Sequence, residues 1–106
     1  MSTASDGARR ERRVRDEMIE AGWSFIMRAA ASKGPADLAM AHPDHGLALV
    51  QVGSKSKTLG PADRERLCAA ADLCSALPLL AIVRHRETTQ TWLVDRGKPA
   101  GWAVWP

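Results

Sequence analysis

The sequence predicts an α/β domain: a mixed central sheet of about four to five strands flanked by two helices, in the order α-β-β-β-α-β-β. Three observations predict it. Apolar residues recur at helical steps in two separate stretches, one near the N-terminus and one after Pro61. Short alternating or dense apolar runs, bounded by Gly, Pro and Asp, fill the intervals. The second helical stretch stands between strands three and four, which calls for a right-handed crossover to a parallel neighbour. A chain of 106 residues with 45% hydrophobic and 25% charged residues has room for one domain and one core, spanning 1–106. Residues 1–8 are small and polar, and a frayed, flexible terminus is expected there.

Each element has its own signal. From about Arg9, residues Glu11, Val14, Met18 and Ala21 fall on one helical face, and Gly22 stops the helix. Trp23, Phe25 and Met27 alternate with Ser24, Ile26 and Arg28 as a first strand. Residues 29–36, with Ser32-Lys33-Gly34-Pro35 at their centre, make a turn. Strands over 37–41 and 47–53 flank the hairpin loop His42-Pro43-Asp44-His45-Gly46. Residues 55–60 are polar and loop-like. Pro61 opens a second helix that runs to about Ser75, with Leu67, Ala70, Ala71, Cys74 and Leu77 as its apolar face. Residues 79–84 and 89–95 read as strands, and 101–105 as a last edge strand.

Composition excludes several classes. The longest apolar runs, such as 77–83, fall far short of the ~20 residues that span a bilayer, so no membrane role is expected. The start of the chain is polar and basic, without the apolar segment of a secretory signal. Cys68 and Cys74, roughly 9 Å apart along one helix and on different faces, are too distant for a disulfide. Buried free thiols in a reducing cytoplasm are expected, and no Cys or His follows at zinc-site spacing. A net charge of +3 permits a polyanionic partner without demanding one.

One constellation carries chemistry. A hairpin symmetric about Asp44 sets Asp37 opposite Gln51, with Cβ atoms about 5 Å apart on one side of the sheet. A carboxylate and an amide oxygen that close can share a hard cation such as Mg²⁺. Lys55 continues the same face if the strand stays regular. Glu11 shares its helical face with Val14 and Met18, so it points at the sheet, where a carboxylate needs a partner or a metal.

These residues resemble the archaeal-type Holliday junction resolvases, small members of the PD-(D/E)xK nuclease superfamily. The spacing of Glu11 and Gly22 is similar to that family's first helix. Ser32-Lys33-Gly34-Pro35-Ala36-Asp37-Leu38 is similar to its serine turn and strand-opening aspartate, and Leu79-Leu80-Ala81-Ile82-Val83-Arg84 to its later apolar strand. The similarity covers roughly 9–92. It departs at the centre, where Gln51-Val52-Gly53 stands in place of Glu-x-Lys.

The resemblance implies a restriction-endonuclease-like fold and a metal-dependent DNA endonuclease that cuts four-way junctions as a homodimer. Asp37, Gln51 and the Val52 carbonyl would hold Mg²⁺ (or Mn²⁺), with Glu11 ligating a second ion or orienting a metal-bound water. Ser32 and Lys33 would contact the DNA backbone. Two alternatives stay open at Gly53. The lysine's role moves to Lys55, about 6.6 Å further along the same face, or activity is lost and the chain only binds branched DNA. A related nuclease of flaps or duplex DNA shares the same motifs, and an accidental likeness in a small α/β adaptor predicts no salt-sensitive DNA binding.

Bland readings stand beside the rest. Arg9, Arg10, Arg12, Arg13 and Arg15 crowd one helix start, which alone is a solvated face and beside a nuclease site a phosphate contact. Lys55 and Lys57 lie in a basic loop that either is simply flexible or contacts phosphate. His42 and His45 are expected to be solvated in their loop, and His85 to lie on the surface or face DNA. Trp92, Trp102 and Trp105 read as core or interface packing, with base stacking as the rival role.

Overall fold

The apolar patterning resolves into two helices on either face of one sheet. The computed structural model describes residues 3–29, 34–54, 59–84 and 86–105. Helix α1 spans Thr3–Glu20, followed by strands β1 (Ser24–Arg28), β2 (Leu38–His42) and β3 (Gly46–Gly53). Helix α2 (Pro61–Leu73) leads to β4 (Leu77–Ile82), β5 (Gln90–Leu93), a 3-10 turn (Pro99–Gly101) and β6 (Ala103–Val104). The sheet has six strands in sequential order. Every neighbouring pair is antiparallel except β3 and β4, the parallel pair that α2 connects.

Helix α1 starts at Thr3, well ahead of the expected Arg9, so 3–8 belong to the helix. Ala4 and Ala8 favour helix, and the isolated Gly7 costs only about 1 kcal/mol. The far end closes as Gly22 takes φ +99. Its N–H donates to Ile19 O and that of Trp23 to Met18 O, the paired bonds of a Schellman stop. Trp23 then packs with Met18 into the core on the α1 side.

The hairpin register is the expected one: Leu38 faces Val50, Met40 faces Ala48, and His42 faces Gly46. The ladder extends to that last pair, so only Pro43, Asp44 and His45 form the loop, closed by Gly46 at φ +78. The two histidines are not simply solvated. Their rings lie 4.6 Å apart, with Trp23 5.2 Å from His42 and Trp105 5.1 Å from His45.

Strand β4 is buried on both sides, which explains its unbroken apolar run. Leu79 and Ala81 join Val14, Trp23, Leu38, Met40, Ala48 and Val50 under α1. Leu80 and Ile82 meet Leu67, Cys68, Val94 and Trp102 under α2. Trp102 is buried, and Trp92 packs half-buried against the same cluster. Cys68 is buried as expected, but Cys74 is exposed because α2 ends one residue before it, leaving its thiol to donate to Ala70 O at 3.1 Å. No helix among the described residues is long and apolar enough to cross a membrane.

Candidate active site

Asp37 sits where β1, β2 and β3 meet. Its carbonyl accepts the Ala29 N–H at 2.9 Å, and its own N–H donates to Val50 O at 2.9 Å. Its Oδ2 accepts the Val52 N–H at 2.8 Å. The residue therefore grips β3 on both sides of Gln51, the position set opposite it by the hairpin. Asp37 is 5% exposed. Burial is the largest influence on its carboxyl and raises its pKa above the ordinary 3.8; the Val52 N–H lowers it, the Glu11 charge raises it and Arg28 lowers it, with a net rise.

Glu11 is the other buried carboxylate, projecting from α1 at 6% exposure. Its partner is Arg28, whose Nε lies 2.5 Å from Glu11 Oε1. A β-bulge makes that pairing. The β1–β2 register runs Ser24–Ala41 and Phe25–Met40, then skips Ile26 to give Met27–Ala39 and Arg28–Leu38. Side chains alternate along a strand, so one extra residue reverses the face of everything after it. Leu38 and Met40 belong to the α1-side core, and the bulge turns Arg28 onto that same side, towards Glu11. Plain alternation hides this residue. Its only sequence signal is that it is the single charge closing an apolar strand.

Gln51 and Gly53 are half-buried on β3. A β-carbon at Gly53 would come 2.9 Å from Ile82 Cδ1 and 4.0 Å from Leu80 Cδ1, so the position faces the α2-side cluster. Among the described residues no group of three His, Cys, Asp or Glu is placed to hold a metal. Of the expected donor set, Asp37 and Glu11 interact, whereas Gln51, two residues before Gly53, shares that residue's α2-facing side of β3. One oxygen of Asp37 and one of Glu11 carry no hydrogen bond to a described residue. Two buried carboxylates fit Mg²⁺, which takes one or two carboxylates and keeps several waters.

The basic residues divide. Arg9 and Arg12 are exposed and Arg10 is half-buried on the middle turns of α1. Arg13 instead ties the fold together: it donates to Glu17 at 2.8 Å, to Arg84 O at 3.2 Å, and to Glu87 O. Ser32, Lys33, Lys55 and Lys57, and also His85, lie outside the described residues.

Order, crossover and two-sided core define a mixed α/β fold, a six-stranded sheet between two helices. The chain superimposes on Hjc, a Holliday junction resolvase from the archaeal hyperthermophile Archaeoglobus fulgidus. The TM-score is 0.67 at 21% sequence identity, covering 81% of this chain and 75% of that one. No protein-family model matches the chain, and no curated protein does.

Proposed function

We propose that this chain is a metal-dependent DNA endonuclease that hydrolyses phosphodiesters in branched DNA, with the four-way junction as its substrate. The observation that carries this is the pair of buried carboxylates, Asp37 and Glu11, close enough for the charge of one to raise the pKa of the other, at the edge of a fold like that of Hjc. Buried like charges are costly, and a divalent cation between them offsets that cost.

Asp37, Glu11, Gln51 and the Val52 carbonyl would hold Mg²⁺ or Mn²⁺. Such an ion polarises a phosphate and lowers the pKa of a bound water. Asp37 sets the position, since its backbone and side chain both anchor to β3. Lys55 and Arg28 would offset charge gathering on the phosphate, while Arg9, Arg10, Arg12, Ser32, Lys33 and Lys57 would hold the flanking backbone. Cutting two symmetry-related strands calls for two sites on a two-fold axis, hence a homodimer.

Two observations favour a second reading, a branched-DNA-binding module that no longer cuts. Gly53 stands in the lysine position, and Arg28 already neutralises Glu11. Incubation with a labelled junction, a linear duplex and a flap, each with Mg²⁺ or Mn²⁺, separates the two. Symmetric junction cuts abolished by Asp37→Ala support the enzyme. Tight binding without cuts, with cutting restored by Gly53→Lys, supports the inactive module. Preferential cutting of the flap or duplex would reassign the substrate.

A further inference from the structure

A cavity of about 130 Å³ opens between the last turns of α1 and β5, on the face of the sheet that carries Leu79 and Ala81. Thr91 pairs with Ala81 across the β4–β5 ladder and so shares that face. Trp23 and Trp105 line the cavity with Met18 and Leu79, and Glu17, Thr89 and Thr91 supply its polar groups. A hairpin histidine sets the two indoles. The His45 ring stacks on Trp23 at 5.8 Å and 20°, and meets Trp105 edge-on at 5.1 Å. The Trp105 N–H donates to Thr91 O at 2.8 Å, which fixes that residue beside β5. Glu17 Oε1 accepts from the Arg13 Nε–H and from the Thr89 hydroxyl, both at 2.8 Å.

We propose that this cavity takes one unstacked cytosine base of a DNA strand. The proposal rests on the DNA-binding part of the reading above and not on cleavage. Charge selects a neutral occupant. The Glu17 carboxylate turns phosphate away, and Arg13 already balances it, so a cationic ligand gains little. Volume selects a single ring. An apolar cavity of about 150 Å³ takes benzene, so this one admits a pyrimidine ring and is small for a purine. Hydrogen bonding selects among pyrimidines. A carboxylate only accepts, and the Thr89 hydroxyl spends its proton on Glu17, so two acceptors stand side by side. Thr91 adds a hydroxyl that can donate. Cytosine offers the complement, an N4 amino donor beside the N3 acceptor, whereas thymine would set O4 against the carboxylate. The indoles supply faces for stacking. The rise along α1 from Glu11 to Glu17 is about 9 Å, roughly three steps of a DNA strand at about 3.4 Å each. The base is therefore taken a few nucleotides from the carboxylate pair.

The test is fluorescence anisotropy of the full chain, in EDTA, with short labelled strands of dC, dT, dA and abasic deoxyribose phosphate of equal length and charge. The dC strand should bind about five- to 150-fold more tightly than the abasic strand, the range for one stacked base. It should also bind more tightly than dT or dA. Glu17→Gln and Thr91→Val should bring dC down to the level of dT, and Trp105→Leu towards that of the abasic strand. In NMR spectra of the wild type, the dC strand should move the indole Nε1–H signals of Trp23 and Trp105 and leave those of Trp92 and Trp102 in place. Circular dichroism checks that each variant folds, and should Trp105→Leu fail to fold, the wild-type indole signals decide. Equal affinity for dC and abasic strands overturns the proposal. So does a dC preference that survives both polar substitutions, or a shift confined to Trp92 and Trp102. Choline moving the Trp105 signal as strongly as dC would make this a cation site, and cytidine saturating it at lower concentration than the strand would make it a nucleoside site; either overturns the proposal. Junction cutting by a protein that does not tell dC from abasic strands keeps the nuclease reading and removes this one. Selection of dC by a protein that cuts no junction does the reverse.

Discussion

The Arg28 guanidinium meets the Glu11 carboxylate at 2.5 Å and so fastens the end of β1 to the buried face of α1. Glu11 is shielded from water, while Arg28 is 43% exposed at its side chain. Removing the arginine leaves a buried carboxylate without its partner. For a pair with one half-exposed member, Arg28→Ala should cost about 1–3 kcal/mol in urea unfolding. A divalent cation can then neutralise the same carboxylate. The rise in melting temperature from EDTA to Mg²⁺ should be larger for Arg28→Ala than for the wild type. Equal rises would mean that no ion competes with Arg28 for Glu11.

Asp37 gives a pH signature. Its folded pKa lies above its unfolded value of 3.8, chiefly through burial, so the fold favours the protonated form. The resulting stability is fully present below pH 3.8 and is lost as pH rises through the folded value. At neutral pH the ionised Asp37 therefore works against folding. Asp37→Asn retains an oxygen for the Val52 N–H and removes the charge, so it should melt higher than the wild type at pH 7, with the gap closing towards pH 3.8. It should also abolish cleavage, the trade expected where a site is strained for function. A variant that melts lower at pH 7 contradicts the burial argument.

Gly53 lies against Ile82 Cδ1, the far end of a flexible side chain. Gly53→Lys should thus fold, at an overpacking cost of about 1–3 kcal/mol. Ile82→Val deletes the methyl in question and alone costs about 0.5–1.5 kcal/mol. Combined, the two changes should cost less than their sum, because the second removes the clash made by the first. Strict additivity in denaturant unfolding would place the new side chain elsewhere.

Much of this arrangement was legible in the chain. Gly22 stops α1, the Asp44-centred loop sets the register from Leu38–Val50 to His42–Gly46, and Pro61 opens α2. These are local devices, each decided by a few neighbouring residues. Glu11 was legible because a carboxylate stood where apolar periodicity pointed inward, and Asp37 because the hairpin register set it opposite Gln51. Arg28 was not, because strand alternation predicts the opposite face and only the bulge at Ile26 turns it. The ring contacts of the hairpin histidines were not legible for a related reason: the Trp105 that meets His45 comes from the far end of the chain, a pairing no local pattern reveals. Cys74 failed at a boundary, since ending α2 one residue earlier turns an apolar-face position into an exposed one.

The last expectation separates arginines that share one helix. Arg12 is exposed on α1, whereas Arg13 donates to Glu17, Arg84 and Glu87 and bridges the helix to the segment after β4. If the basic face grips DNA, each phosphate contact contributes about 0.9 to the slope of log affinity against log salt. Arg12→Ala should lower that slope by roughly this amount and leave the stability within about 0.5 kcal/mol of the wild type. Arg13→Ala should do the opposite. Loss of its bonds to backbone carbonyls should cost about 1–3 kcal/mol, with little change in the salt slope. Fluorescence anisotropy with a labelled junction at several salt concentrations, alongside urea unfolding, reads both quantities. Equal slopes for wild type and Arg12→Ala would take α1 out of the DNA interface and leave its arginines as a solvated face.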